Sequence, residues 1–210
     1  MRNFLALLLV AGGLVIVYLG VRQVWNAHTA QQRAAATWSR EAAQSKAAKP
    51  APPNAPPRKP ERLLRGESVG RLSIPRLGSS LYVVEGAEEV DLENGPGHVV
   101  GTALPGPTGN CAIAGHRDTV FRQLRNIKVG DEVVVETHQA AYHYRVSGTQ
   151  IILPTNIQCL LPTPSAELHL ITCYPFYFVG NAPKRFVVTA PLERVENLAK
   201  QDVKPGQPPA

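Results

Sequence analysis

The segment EVVVETHQAAYHYRVSGTQII, residues 132–152, contains two runs of the kind that form β-strands. Both runs are rich in β-branched and aromatic residues, and a polar stretch suited to a turn separates them. The segment therefore predicts strands at 132–137 and 142–152. Five more runs of this kind lie on either side: VGRLSI (69–74), LYVVE (81–85), NCAIAGH (110–116), LHLITC (168–173) and RFVVTAPL (185–192).

Seven short strands between residues 69 and 192 predict an all-β domain, either a barrel or a sandwich. The chain also contains 17 glycines and 19 prolines among its 210 residues, which favours a fold with many turns. Two short helical turns are predicted in this domain, at 87–94 and at 119–126, the second with Asp118 as its N-cap. We place the domain at residues 67–196.

Residues 1–25 predict an N-terminal membrane anchor. The run Phe4–Val21 is apolar and uncharged, and as a helix of about 27 Å it nearly spans a hydrocarbon core of about 30 Å. Trp25 follows at interfacial depth. A cleaved signal peptide is the alternative, although its apolar core is usually only about 7 to 15 residues long. Only Arg2 precedes the run, whereas Arg22, Arg33 and Arg40 follow it, so the positive-inside rule, taken alone, argues against an exported C-terminus.

Residues 26–66 predict a stalk and linker. Residues 27–49 are rich in Ala, Gln, Arg and Glu, which favours an exposed helix ending before Pro50. The segment 50–60 contains six prolines and predicts an extended spacer of roughly 34 Å. Residues 197–210 are polar and proline-rich and predict a flexible tail.

The net charge of +6 lies in this connecting segment and not in the β domain. Residues 22–66 hold nine Lys or Arg against two Glu, whereas the chain from residue 67 onward holds twelve against fourteen Asp or Glu. A nucleic-acid-binding domain is therefore disfavoured.

The chain has three cysteines, and no two of them have the Cys-x-x-Cys spacing of a zinc or redox site. Three cysteines are also too few for a disulfide scaffold. We therefore expect no metal and no other cofactor, although a calcium requirement is not specified by these residues.

Three residues with chemical potential stand at the ends of predicted strands. Cys173 ends the run LHLITC, His116 ends NCAIAGH, and Arg185 opens RFVVTAPL. Each has a plain structural explanation when taken alone: a small buried thiol, a solvated loop histidine and an edge-strand cation. Together they suit acyl transfer, in which a thiolate attacks a carbonyl, an imidazolium protonates the leaving amine and a guanidinium stabilises the oxyanion or holds the substrate backbone.

The sequence His116-Arg117-Asp118 also matches part of a protein-kinase catalytic loop. The glycine-rich loop, strand lysine and Asp-Phe-Gly segment that accompany it in kinases are missing, so the match is accidental.

Several ordered blocks resemble the sortase family of membrane-anchored cysteine transpeptidases. They are Leu72-Ser-Ile-Pro75, Val83-Val-Glu-Gly86, Gly95-Pro-Gly-His98 with Gly101-Thr102, Gly109-Asn110 leading to Ala114-Gly-His-Arg-Asp-Thr119, Leu170-Ile-Thr-Cys173 and Pro183-Lys-Arg185. The family's usual nucleophile motif is Thr-Leu-x-Thr-Cys, and here His169 replaces the first threonine. The Cys-Tyr-Pro-Phe and Ala-Pro-Lys-Arg details are most similar to class D, with class E next.

The resemblance implies a closed eight-stranded β-barrel with Cys173, His116 and Arg185 in one groove as catalytic residues. It implies cleavage of a C-terminal Leu-Pro-x-Thr-Gly or Leu-Pro-x-Thr-Ala sorting signal after Thr, through a thioacyl-enzyme, and transfer to an amine of the cell wall or of a pilin lysine. It also implies a single-pass membrane protein with an extracytoplasmic catalytic domain. The internal sequence Leu104-Pro-Gly-Pro-Thr-Gly109 is similar to such a signal, but no apolar tail follows it, and it predicts a turn.

Two other kinds of function remain open at this point. An L,D-transpeptidase or another extracytoplasmic Cys/His peptidase also uses a thiol and an imidazole, although the Ser-x-Gly-Cys type of context is absent around Cys173. A catalytically silent surface-binding domain would tolerate the loss of any one of the three site residues, and all three are present.

Overall fold

A computed structural model describes residues 2–47, 63–178 and 180–198 of the chain. The proline-rich spacer predicted at 50–60 and all but two residues of the predicted tail lie outside the described residues. The domain boundaries therefore remain predictions.

The described part of the chain contains nine strands, two α-helices and three short 3-10 helices. The strands are β1 (Ser68–Ile74), β2 (Ser79–Glu85), β3 (Gly97–His98), β4 (Asn110–Ala114), β5 (Glu132–Glu136), β6 (Ala140–Arg145), β7 (Gly148–Ile152), β8 (Glu167–Tyr174) and β9 (Lys184–Asn197). The α-helices are α1 (Arg2–Ala47) and α2 (Glu89–Leu92), and the 3-10 helices span Pro75–Leu77, Arg122–Asn126 and Gln158–Leu160.

The strands form one closed sheet. Their order is β6-β5-β1-β2-β3-β4-β8-β9-β7, and a further pairing of β6 with β9 closes the barrel. Strands β6 and β7 pair with successive parts of β9, and between them the Ser147 amide donates to the Thr189 carbonyl at 2.9 Å. We therefore count β6 and β7 as one interrupted strand, which gives the eight-stranded barrel predicted from the sequence.

Alternating side chains fill the barrel interior. On β5, for example, Val133 and Val135 are fully buried while their neighbours are partly exposed, as expected for a strand with one face in a core. The buried core contains Val69, Leu72, Ile74, Val83, Cys111, Ile113, Phe121, Leu124, Val133, Val135, Tyr144, Val146, Leu168, Leu170, Val188 and Ala190. Four of these residues come from β4 and β8, the strands that lead to the candidate site.

Two local predictions need correction. The two-residue strand β3 was not predicted, because Gly97 and His98 lie in a Gly-Pro-Gly-His sequence without a β-type run. The helical turn at 119–126 begins only at Arg122 as a 3-10 helix, and its N-cap position is Phe121 without a side-chain cap. Asp118 as an N-cap is therefore wrong. The other turn, predicted at 87–94, contains α2.

The stalk prediction expected an exposed helix at residues 27–49, and this is wrong for one side of α1. Trp38 is 8% exposed, and its ring stacks on His138 in the β5–β6 turn with centroids 3.8 Å apart. Glu41 lies 3.3 Å from His138. Gln31 accepts from the Tyr82 amide at 2.7 Å and donates to the Tyr82 carbonyl at 3.2 Å. One side of the helix therefore docks on the barrel.

Across the described residues, no helix combines the length and the apolar character required to cross a membrane.

The contact between Gln31 and Tyr82 predicts a local change in hydrogen exchange. Gln31→Ala removes the acceptor of the Tyr82 amide, and a hydrogen bond worth about 1 kcal/mol corresponds to roughly five-fold faster exchange. Exchange measured by mass spectrometry or NMR on the full chain should accelerate at Tyr82. Gln32→Ala is the matched control, because Gln32 is exposed and, within the described part of the chain, its side chain hydrogen-bonds to His28 on the same helix. Equal exchange at Tyr82 in the two variants would contradict docking of α1 through Gln31.

Candidate active site

Cys173 lies at the end of β8 on the outer face of the barrel. Leu168, Leu170 and Thr172 point inward and are buried, so the alternate residues His169, Ile171 and Cys173 share the opposite face. Cys173 itself is only partly buried. The thiol is therefore held by a rigid strand and remains open to a ligand.

Arg185 is the direct partner of Cys173 across the antiparallel β8–β9 pair. Side chains directly opposite each other on such a pair share one face, with Cβ atoms about 5 Å apart. The Arg185 guanidinium donates through Nη1 to the carbonyls of Ala182 and Lys184 at 3.3 and 3.1 Å. These bonds tie the side chain to the loop that precedes β9.

His116 approaches from the other side of Cys173. Strand β4 is parallel to β8, with Ala112 opposite His169 and Ala114 opposite Ile171. The pairing continues past the end of β4, since the Gly115 amide donates to the Ile171 carbonyl at 3.1 Å. Continued by two residues, this register brings His116 level with Cys173 on the same face, one strand spacing of about 4.8 Å away.

The register therefore brings the three predicted site residues to one level, with Cys173 on β8, Arg185 opposite it on β9 and His116 two residues beyond the end of β4. The prediction that His116 ends its strand is wrong, because β4 ends at Ala114. The thiol stands between a group that can donate or accept a proton and a fixed cation. Chemically, this arrangement suits acyl transfer through a thioester, with charge developing on an oxygen near Arg185.

The position of His116 depends on a close contact behind it. A Cβ on Gly115 would stand 2.8 Å from the ring of Phe121, so only glycine permits this approach. Phe121 is buried in the core, and its amide donates to the His116 carbonyl at 3.0 Å. The turn that carries His116 is thus anchored to the barrel interior.

Thr172 joins the histidine segment to the cysteine strand. Its buried hydroxyl donates to the Gly115 carbonyl at 2.6 Å. Thr172 directly precedes Cys173, and Gly115 directly precedes His116, so this bond joins the two segments next to the site residues. Thr172 belongs to the family motif Leu170-Ile-Thr-Cys173, but no role was predicted for it. Its place one residue before the nucleophile, on the inward side of the strand, was the available signal.

The loop after Cys173 is held by aromatic packing and by arginines. Phe176 and Phe186 make an edge contact with centroids 5.3 Å apart. Arg117, next to His116, donates to the carbonyls of Phe178 and Gly180 at 2.7 and 2.9 Å. The segments that follow the histidine and the cysteine are therefore tied together, which sequence reasoning did not foresee.

The other two cysteines have different surroundings. Cys111 points into the core, and burial raises the pKa of its thiol far above the ordinary value. Partial burial also raises the pKa of the Cys159 thiol. Both shifts disfavour the thiolate that a nucleophile requires.

A cavity of about 610 Å³ opens at the other end of β4. The buried pair Glu85 and His98, joined by a 2.7 Å hydrogen bond, contributes to its wall. None of the three predicted site residues lines this cavity.

Comparison with known proteins identifies the family. The Sortase domain family model matches residues 72–193. Sortase D of Bacillus subtilis is 33% identical over 195 residues, which cover 90% of this chain and 97% of that protein. Among solved structures, the SrtF sortase of Corynebacterium diphtheriae is 29% identical with a TM-score of 0.62, over 72% of this chain and 97% of that one.

A second solved structure, the Clostridium perfringens Sortase D5 transpeptidase, aligns with a TM-score of 0.66 over 79% of this chain and 99% of its own. At 23% identity this likeness shows a shared fold. The chain belongs to the sortase family, as its motifs predicted. It is a sortase-type cysteine transpeptidase, and this conclusion replaces the alternatives of an L,D-transpeptidase and of a silent binding domain.

The Thr172 hydrogen bond predicts that its loss lowers both the stability of the fold and the rate of peptide cleavage. Thr172→Val keeps the shape of the side chain but leaves the buried Gly115 carbonyl without its donor, which costs about 1 to 3 kcal/mol. The free energy of unfolding, measured by denaturant titration, should fall by that amount, and peptide cleavage should slow because the His116 segment loses its tie. Thr172→Ser keeps the hydroxyl and should retain most of both. Equal losses in the two variants would count against the hydrogen bond as the cause.

Proposed function

We propose that Cys173, His116 and Arg185 are the catalytic residues of this sortase. The support for this proposal is that Cys173 pairs with Arg185 across β8 and β9 and that His116 follows the end of β4, whose pairing with β8 extends to the Gly115 amide. No cofactor takes part in the proposed chemistry.

The first half of the reaction forms a thioacyl-enzyme. The Cys173 thiolate attacks the carbonyl carbon of the threonine in a Leu-Pro-x-Thr-Gly or Leu-Pro-x-Thr-Ala signal, and Arg185 stabilises the negative oxygen of the tetrahedral intermediate. The bond between that carbon and the following nitrogen breaks, and the His116 imidazolium gives its proton to the leaving amine. The C-terminal part of the signal departs.

The second half transfers the acyl group to an amine. A neutral amine of a cell-wall peptide or of a pilin lysine attacks the thioester carbonyl, and His116 accepts the proton that the amine loses. The carbon–sulfur bond breaks, and the thiolate and imidazolium return for the next cycle. The product is a surface protein joined covalently to its acceptor, or a polymer of such proteins.

We further propose that the enzyme is a single-pass membrane protein with its catalytic domain outside the cytoplasm. The support lies in the uncharged run Phe4–Val21 and in the apolar side chains of α1. Leu14, Val17 and Val21 are 63 to 65% exposed on this helix, and a hydrocarbon environment would cover them. Docking of Gln31 and Trp38 on the barrel would then hold the catalytic domain near the membrane surface.

The proposed roles predict the effects of three substitutions. Cys173→Ala should abolish both cleavage of a signal peptide and formation of the thioacyl-enzyme, measured by mass spectrometry. His116→Ala should slow turnover by about 10²- to 10⁴-fold, and Arg185→Ala by about 10²- to 10³-fold, with the fold retained. Cys111→Ala and Cys159→Ala are the matched controls and should remain active. An active Cys173→Ala enzyme would sink the assignment.

Membrane anchoring predicts a change in fractionation. Leu14→Arg combined with Val17→Arg places two charges in the apolar run, each costing about 2.5 to 3.5 kcal/mol near a membrane centre. The doubly substituted chain should be extracted from membranes by alkaline carbonate, whereas the unaltered chain should stay. Lys substitutions at Ala36 and Thr37, on the exposed part of α1, serve as the charge-matched control. Extraction of the unaltered chain would contradict the anchor.

A further inference from the structure

The residue that departs from the family motif, His169, belongs to a buried polar network. Its Nδ1 lies 2.7 Å from Oδ1 of Asn110, the first residue of β4. Asn110 is 2% exposed and His169 is 7% exposed. The two residues lie on neighbouring strands and are offset by two residues in the pairing, since Asn110 is opposite Glu167 and His169 is opposite Ala112.

Asn110 also holds the loop that connects β7 to β8, residues 153–166. Its Nδ2 donates to the carbonyl of Cys159 at 2.7 Å and to that of Leu161 at 3.0 Å. Both hydrogens of the amide are therefore used on this loop. The amide oxygen must face His169, so the Nδ1 of His169 carries the hydrogen and donates it.

The surroundings favour the neutral form of the histidine. Burial lowers the pKa of His169 below its ordinary value, with a smaller opposing effect from the charge of Glu167. With a neutral ring and its hydrogen on Nδ1, every hydrogen bond in this network has one donor and one acceptor. The network runs from His169 through Asn110 to two loop carbonyls.

This network stands on the face of β8 that leads to the nucleophile. His169 and Cys173 share that face, four residues apart, which is about 13 Å along a strand. Ala112, the β4 partner of His169, has no exposed surface although it points away from the core. The loop therefore covers the His169 end of this face, while the Cys173 end stays partly open.

A peptide bound to Cys173 through its threonine can extend along this face toward the loop. On the other side the aromatic cluster around Phe176 and Phe186 and the loop held by Arg117 follow Cys173 directly. A residue three positions before the threonine would lie about 10 Å away in an extended chain, in the direction of the 153–166 loop. Leu153, Ile157 and Leu161 of that loop are exposed apolar side chains, and they suit an apolar residue there.

We propose that His169, acting through Asn110, is a positioning residue that fixes the 153–166 loop for binding of the leucine end of the substrate signal. This inference rests on the proposed function for the place of the substrate. His169 takes no part in bond breaking. A threonine at this position, as in the usual motif, is too short to reach Asn110 from the same backbone position, so this chain holds its loop by a contact that the motif residue would not make.

The first test uses Cys159 as a reporter inside the loop. In the full chain with Cys173→Ala, alkylation of Cys159 by iodoacetamide is followed by peptide mass spectrometry. Asn110→Ala and His169→Thr should each speed this labelling at least five-fold, because the loop opens more often. His169→Asn places an amide N–H near the former Nδ1 and should restore slow labelling. Asn156→Ala is the matched control, since Asn156 bonds only within the loop to the Gln158 amide.

Cys111 in the same samples reports on folding. Its thiol is buried in the core, so it should stay unlabelled in every variant that keeps the barrel. A variant that also labels Cys111 is unfolded, and the milder His169→Thr change then decides the result. Unchanged Cys159 labelling in folded Asn110→Ala and His169→Thr chains would overturn the proposal.

The second test separates positioning from chemistry. With Cys173 present, His169→Thr should raise the KM for a signal peptide about five-fold or more and change kcat less than two-fold. His169→Asn should return KM toward the original value. A large fall in kcat with an unchanged KM would overturn the positioning role. Absence of peptide cleavage by the unaltered chain would reject the proposed function. The Cys159 labelling would still decide whether His169 and Asn110 hold the 153–166 loop.

Discussion

The pairing of β8 with both of its neighbours is the constraint on which the site depends. Strand β4 runs parallel to β8 on one side, and β9 runs antiparallel on the other. A slip of one residue in either register would turn a side chain to the opposite face of the sheet. Inward packing of Leu168 and Leu170 in the core therefore also fixes the outward direction of Cys173.

Two contacts at the ends of these strands hold the segment that carries His116 beside β8. The Thr172 hydroxyl bonds the carbonyl of Gly115, and Phe121 packs where a side chain on Gly115 would stand. Moving the segment that carries His116 away from β8 would therefore break a buried hydrogen bond or disturb the core. The candidate site is thus supported from inside the barrel, and Cys173 on its outer face is only partly buried.

Docking of α1 adds a second level of organisation. Trp38 and Gln31 attach the helix to the β5–β6 turn and to β2. The same helix contains the apolar run that we propose as an anchor. The polar composition of residues 27–49 did not predict this contact. One aromatic ring and one amide dock the helix because the barrel presents a ring and backbone groups that complement them.

The sequence by itself determined the all-β class, seven of the eight barrel strands, the family and the three candidate residues. Strand periodicity and strand-end chemistry are local properties, and motifs preserve their order along the chain. Only the tertiary structure decided which strands are neighbours, because His116 and Cys173 are far apart in sequence and meet through pairing of β4 with β8. It also decided the short strand β3, which exists because its neighbours supply hydrogen bonds, and the buried bond between His169 and Asn110, since hydrogen-bond partners distant in sequence leave no local pattern.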